Sequence, residues 1–163
     1  MPAADFEIRP IESKDDEAMA HVIRTVMPTF GAGGEGFAIH DPEVNAMSAA
    51  YVGSTARYYV VTRGDRVVGG GGFAALASGP AGTCELRKMY FLEEARGHGV
   101  GAALLELLLS EAKAAGFSRC YLETLHAMKG ARHLYEKKGF VALGAPEGAT
   151  GHFGCDAWFA RTL

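Results

Sequence analysis

The sequence lacks the features that mark several large classes of protein. Its three cysteines, Cys84, Cys120 and Cys155, are widely spaced and odd in number. That pattern supplies neither a disulfide framework nor the close pairing of a metal site. No apolar run reaches the roughly 18 residues of a membrane span. The opening Met-Pro-Ala-Ala-Asp-Phe-Glu has no basic stretch followed by an apolar one, so it does not read as a secretory leader. Both absences point to reduced thiols and a cytoplasmic protein. An excess of positive charge is missing as well. Sixteen Lys and Arg stand against nineteen Asp and Glu, a net −3. This excludes the basic surface of a general nucleic-acid binder.

What remains is an ordinary folding chain with one excess. Its 163 residues, 48% hydrophobic and 21% charged, fit one domain of about 150 residues, so residues 1–163 are expected to form a single unit. Glycine is the outlier, with 22 residues or about 13% against a usual 7% or so. No collagen-like period is present. The glycines therefore belong to turns, bulges and ligand loops.

Periodicity orders the elements. Phe6 to Arg9 alternates as a strand. Ser13 is placed to cap a helix running to Val26, which Pro28 stops. Gly31 to Gly36 reads as a mobile loop and Pro42 to Tyr51 as a short helix. Tyr58–Thr62 and Arg66–Phe73 form a hairpin signal around Arg63-Gly64-Asp65, and the glycines at 69–72 permit a bulge. Cys84–Phe91 is a long strand, on which alternation puts Glu85, Arg87, Met89 and Phe91 on one face. Gly101–Ala115 is a helix with an apolar stripe of Ala102, Leu105, Leu108, Leu109 and Ala112, ended by Gly116. A strand at Tyr121–Thr124, a helix at Ala127–Lys138 and strands at Phe140–Leu143 and Phe153–Arg161 complete the chain. The order β-α-α-β-β-β-α-β-α-β-β implies an α/β fold, a mixed sheet with helices on its faces.

The chemistry concentrates at Arg96-Gly97-His98-Gly99-Val100-Gly101, between a strand and a helix. Glycines let the backbone turn sharply and approach a ligand. The first amides of the following helix have no internal partner, and with the helix dipole they form an anion site. The arginine adds a fork of donors. A dinucleotide fingerprint would need a third glycine where Ala102 or Ala103 stands. A P-loop would need a lysine that is absent. A plain helix-entry turn is the remaining alternative.

The segment from Cys84 to Gly101, the leucine-rich helix after it and Leu134-Tyr-Glu-Lys-Lys-Gly-Phe140 together resemble the GCN5-related N-acetyltransferase superfamily. The R-G-x-G-x-G loop is similar to its acetyl-coenzyme A signature, and L-Y-x-x-x-G-F to its second motif. The resemblance spans about residues 6 to 162. It implies that the strand before the loop splays from its neighbour and that the cofactor's pantetheine arm pairs with it. Met89 and Phe91 would supply those backbone groups, and Arg96, Gly97, His98, Gly99, Val100 and Gly101 would hold the pyrophosphate. Tyr135 matches the general acid that protonates the departing thiolate. Glu85 matches the general base of some branches, and Glu123 is the competing carboxylate. An asparagine common seven residues before the tyrosine is Met128 here. No metal is expected.

Other residues stand near the expected cleft. His152 in Gly148-Ala-Thr-Gly-His-Phe-Gly-Cys155 is placed to line an acceptor pocket, and His126 to reach it from a strand end. His98 would face solvent or the phosphates. Cys155 as an acyl-carrying nucleophile lacks an evident activating base. The loop at 31–36, the segment from His40 to Tyr51 and the loop at 145–156 are the acceptor-side candidates, with Tyr51, Tyr58 and Tyr59 as aromatic walls. The resemblance therefore implies an acetyl-coenzyme A-dependent N-acetyltransferase acting on a small-molecule amine or a protein amino group. A coenzyme A-binding module without turnover, and acyl transfer with another donor or acceptor, are the alternatives. Sheet edges leave room for a homodimer.

Overall fold

The computed structural model describes residues 5–163. Seven strands form one sheet in the order β1-β2-β3-β4-β5-β7-β6. They are β1 (Phe6–Pro10), β2 (Arg57–Arg63), β3 (Arg66–Ala75), β4 (Thr83–Phe91), β5 (Arg119–Thr124), β6 (Val141–Leu143) and β7 (Ala157–Thr162). The helices are α1 (Asp16–Thr29), the single-turn α2 (Met47–Ala50), α3 (Val100–Ala114) and α4 (Lys129–Lys137). The element order and the mixed sheet are those read from the sequence. β4 and β5 are parallel and every other neighbouring pair is antiparallel.

Each sheet face buries its own core. On one face Leu104, Leu105 and Leu108 of α3 pack over Cys84, Leu86 and Met89 of β4, with Tyr135 of α4 beside them. On the other, Met19, Ile23 and Met27 of α1 cover Tyr58 and Val60 of β2, joined by Val44 and Met47. Burial of aliphatic side chains of this size stabilises by about 1.5–3 kcal/mol each. No helix among the described residues is long and apolar enough to cross a membrane.

Several boundaries differ from expectation for identifiable reasons. Glu12, rather than Ser13, caps the entry to α1. Its side chain and that of Asp15 form a capping box across the turn Ser13–Asp15. Pro28 does not stop α1, which runs on to Thr29. A proline there removes only a donor to the carbonyl of Arg24, which lies on the exposed face. The helix expected at Pro42–Tyr51 is a 3-10 turn, Pro42–Asn45, followed by the one turn of α2. The last strand begins at Ala157, because Phe153 to Asp156 form a loop whose Phe153 ring lies against Gly36.

The largest departure lies in β4. Alternation puts Glu85, Arg87, Met89 and Phe91 on one face, and the structure separates them. Lys88 adopts φ +47, a left-handed conformation rare outside glycine. Opposite it the register of β3 slips between Gly70 and Gly72. This bulge restarts the alternation. Met89 and Phe91 thus join Cys84 and Leu86 on the α3 face, while Glu85, Arg87, Lys88 and Tyr90 point to the other side. The glycines of β3 make room for it. A Cβ at Gly69 would stand 2.3 Å from the Phe91 ring.

Candidate active site

The site is made by two strands parting. β4 and β5 pair only over Thr83–Glu85 against Arg119–Tyr121. Beyond that they separate, and a cleft of about 380 Å³ opens beside the exposed edge of β4. Met89, Tyr90 and Phe91 line it, with Arg96, Gly97, Gly99, Val100 and Gly101 at one end and Tyr135 of α4 on its wall.

Gly97 and Gly99 take φ +79 and +76, so the loop folds back on itself before α3 starts. Only glycine enters this region without cost. The amides from Gly97 to Gly101 donate to no protein group among the described residues. They lie at the N-terminus of a fifteen-residue helix, where the dipole favours an anion. The side chain of His98 takes no part, because its ring packs on Phe6 with centroids 5.0 Å apart. The Arg96 guanidinium lies over the Phe30 ring and donates to the carbonyl of Phe91 at 3.0 and 3.2 Å. That carbonyl belongs to the strand edge to which a paired ligand would donate.

Tyr135 is buried between Phe140 and Phe159, with ring centroids at 5.8 and 6.4 Å. Its hydroxyl makes no hydrogen bond among the described residues. Burial pushes the phenol above its ordinary value, so it stays protonated at neutral pH. Met89, Tyr90, Met128 and Tyr135 also line a small cavity deeper between the strands, shared with Lys88, Glu123 and Cys155. The Cys155 thiol is pushed up to about 12 by burial and nearby carboxylates. At neutral pH it holds no thiolate, which argues against a nucleophilic role.

On the α1 side of the sheet lies a charged pocket of about 220 Å³, lined by Asp41, Glu43, Glu85, Arg87, Thr150 and His152 among others. Glu85 accepts from Arg87 Nε at 2.7 Å, and burial raises its carboxyl above the usual range despite that partner. The Glu123 side chain is as little exposed but better supplied. It accepts from the Tyr121 hydroxyl at 2.6 Å and from Thr150 Oγ1 at 2.5 Å. With His152 beside it, those bonds outweigh burial and hold Glu123 below the usual range. His152 Nε2 lies 2.8 Å from Asp41, and its Nδ1 is 3.7 Å from Glu123. The two carboxylates raise the imidazole to about 9, so it is a resident cation at neutral pH. Lys88, aimed inward by the bulge, reaches Asp41 at 2.7 Å and Glu43 at 3.4 Å.

The structure thus brings Glu85, Glu123 and His152 together, with one ligand atom from each within 4.8 Å of the others. It also brings the expected acceptor-side segments to one place, since Gly36 and Gly154 are joined by a backbone bond of 2.9 Å. Other expected residues lie elsewhere. His126 is exposed, and its backbone alone is used, the amide donating to Asp156 and the carbonyl accepting from Arg132 Nε. Tyr59 turns to Glu111 of α3, and Tyr58 is a core residue whose hydroxyl donates to the Lys88 carbonyl. Sequence reasoning passed over Asp41, Glu43, Lys88 and Thr150. Asp41 and Glu43 sit in a segment that was singled out. Lys88 gave no signal, because the bulge that turns it inward is not periodic.

Known proteins share this fold. The acetyltransferase (GNAT) family matches residues 22–140. The chain is 38% identical to the uncharacterized N-acetyltransferase YjgM of Escherichia coli K12, over 96% of this chain and 94% of that one. A GNAT-family acetyltransferase of Staphylococcus aureus Mu50 superposes with a TM-score of 0.85 at 18% identity, covering 97% of this chain and 99% of that one. The PaiA N-acetyltransferase of Thermoplasma acidophilum, solved in complex with coenzyme A, superposes with a TM-score of 0.72 at 16% identity, covering 97% and 99%. Family match and full-length relative agree with the parted strands and the glycine loop, and the chain is a member of the GNAT family of acetyltransferases.

Proposed function

We propose that the protein moves the acetyl group of acetyl-coenzyme A to a primary amine, by direct attack while both are bound, within one domain spanning residues 1–163. The observation that carries this is the opening between β4 and β5. It sets an exposed strand edge beside a loop of uncommitted amides, the two features that a long, amide-bearing diphosphate ligand needs. The same opening separates Tyr135 on one side from a charged pocket on the other. The coenzyme A bound to the Thermoplasma protein of the same fold supports the donor.

In this reading the backbone of Met89 and Phe91 holds the pantetheine arm, and the amides from Gly97 to Gly101 hold the pyrophosphate; the Arg96 amide, expected among them, is already given to the carbonyl of Glu93 at 3.0 Å. Amines are mostly protonated at neutral pH and must lose a proton before attack. Glu85 is the base we favour over Glu123. Its raised carboxyl has the greater proton affinity, whereas three neighbours hold Glu123 ionised. Tyr135, protonated and without another partner, gives its proton to the departing thiolate.

Calorimetry and thermal shift with acetyl-coenzyme A, coenzyme A, ADP and NAD test the reading. A ligand at about 100 times its Kd stabilises by about 2.7 kcal/mol. Binding of both coenzyme A forms, with free thiol appearing across an amine panel, is the expected result. Binding without thiol release would leave a coenzyme A-binding module. Binding of neither form would overturn the donor assignment.

A further inference from the structure

The charged pocket and the cleft beside β4 share no lining residue. The small cavity between the strands, about 40 Å³, shares Met89, Tyr90, Met128 and Tyr135 with the cleft and none with the pocket. A row of polar contacts divides the cavity from the pocket. Lys88 and Glu123 line the cavity, whereas Asp41, Glu43, Thr150 and His152 line the pocket. Lys88 reaches across to Asp41 at 2.7 Å and to Glu43 at 3.4 Å. Glu123 reaches across to Thr150 at 2.5 Å and to His152 at 3.7 Å. A water needs about 10–15 Å³ of room for its centre, so the cavity takes about three atoms of that size. An amine seated in the pocket is therefore walled off from a donor in the cleft.

The two sides of this wall are held differently. Lys88 and Glu123 belong to β4 and β5 of the sheet. The other four belong to two segments, 31–45 and 148–156, that are clasped to each other. The Gly36 carbonyl accepts from the Gly154 amide at 2.9 Å. The Phe37 ring packs on Gly154 and the Phe153 ring on Gly36, each so closely that a Cβ would stand 2.6 Å from the ring. Asp41 and His152, 2.8 Å apart, add an ion pair across the same seam. Gly31 (φ +77) and Gly151 (φ +78) lie in open space, where a Cβ would meet nothing within 4 Å, so each segment has a point at which it can turn without disturbing a packed neighbour. Ala32, Phe37 and Cys155 of the same segments line the small cavity, which makes the clasped pair its roof as well as part of its wall.

We propose that segments 31–45 and 148–156 are a single gate, shut in this structure, that lifts as one body to let the acceptor pass from the charged pocket to the donor, and that Asp41 is its latch. This rests on the transferase reading above and adds a step before the chemistry. Asp41 is a positioning residue, because one carboxylate there holds both Lys88 of β4 and His152 of the opposite segment. Thr150 fastens the other half of the gate to Glu123 of β5. Lifting parts Asp41 and Glu43 from Lys88, and Thr150 and His152 from Glu123, while the Gly36–Gly154 bond keeps the two segments together.

The test uses the protein saturated with coenzyme A. Hydrogen exchange is followed by mass spectrometry, and Cys155 of the cavity is alkylated with iodoacetamide. Asp41→Asn is expected to speed exchange about tenfold in both segments, including the one that does not carry the substitution. Cys155 is expected to react faster by a similar factor, while the buried Cys84 and Cys120 stay unlabelled. Thr150→Val should act the same way from the opposite segment. It changes no charge, so faster labelling there reports access, and it serves should Asp41→Asn fail to fold. In turnover with acetyl-coenzyme A, methylamine is small enough for the shut cavity and phenethylamine is not. The ratio of kcat/KM for phenethylamine to that for methylamine is expected to rise about tenfold in Asp41→Asn. Both amines are ammonium ions, so damage to proton transfer cancels in that ratio. Faster exchange confined to the substituted segment in both variants, labelling of all three thiols together, or an unchanged ratio would overturn the proposal. Failure of the wild type to bind coenzyme A would instead overturn the transferase reading itself.

Discussion

Glu85 and Glu123 project from neighbouring parallel strands into one space, yet the protein holds their carboxyls in opposite directions. Burial raises Glu85, whose one hydrogen-bond donor among the described residues is Arg87. Tyr121, Thr150 and His152 lower Glu123. Two like charges this close cannot both be comfortable. Unequal hydrogen bonding decides which of them keeps the greater proton affinity.

If Glu85 is the base, activity rises with pH as Glu85 ionises, on a limb above the ordinary carboxylate range. Glu85→Gln is expected to abolish that limb and lower kcat by about 10²–10⁴, with the Kd for acetyl-coenzyme A little changed. Glu123→Gln is expected to keep the limb. The pH dependence of kcat for both variants checks the assignment. A limb that survives in Glu85→Gln and vanishes in Glu123→Gln would reverse it.

Tyr135→Phe removes a hydroxyl without a protein partner, so little stability should be lost, within about 1 kcal/mol. Loss of the departing thiolate's proton source should lower kcat by about 10²-fold or more and leave the Kd for acetyl-coenzyme A near that of wild type. Full activity in this variant would remove Tyr135 from the chemistry. Melting curves and single-turnover rates separate the two effects.

Much of this arrangement was legible in the sequence, and the largest departure at the site, apart from shifted element boundaries, has a local cause. The glycine loop, the helix stripe and the segment around Tyr135 depend on short patterns, and they stand where those patterns put them. The order of elements along the chain followed from the same punctuation. What failed was counting by two along β4. Lys88 in a left-handed conformation inserts one residue into the alternation and turns its own ammonium toward Asp41 and Glu43. A lysine carries no propensity for that conformation, so nothing local announces it. The position is fixed only by tertiary partners: the stripped-down β3 opposite, the Tyr58 hydroxyl on the Lys88 carbonyl, and the two carboxylates. His152 was placed at the pocket by its loop, but its ion pair with Asp41 spans 111 positions and has no sequence signature.

That ion pair makes stability depend on pH in a definite sense. The folded His152 is raised to about 9 from an ordinary 6.5. Its contribution is therefore fully present below about 6.5 and fades as pH rises through about 9. The shift corresponds to roughly 3 kcal/mol. His152→Ala should lower the melting temperature clearly at pH 6 and much less at pH 10, where the wild type has already lost the charge. A destabilisation equal at both values would mean that packing, and not the imidazolium, is what His152 supplies.

Gly97 separates a backbone requirement from a steric one. A Cβ built there meets nothing within 4 Å, so alanine would find space. Its φ of +79, however, is one that alanine adopts only at a cost of about 1–2 kcal/mol. Gly97→Ala should therefore either lose about that much stability or let the loop relax and turn its amides away from the cleft. Relaxation would weaken acetyl-coenzyme A binding by about tenfold, since each 1.4 kcal/mol is a factor of ten. Gly116, also at positive φ with open space around it, sits at the far end of α3. Gly116→Ala should cost similar stability and leave the Kd for acetyl-coenzyme A unchanged. Calorimetric Kd values for the two variants distinguish an anion-binding loop from a helix-entry turn. Equal, wild-type-like affinities would mean that the amides from Gly97 to Gly101 do not hold the ligand.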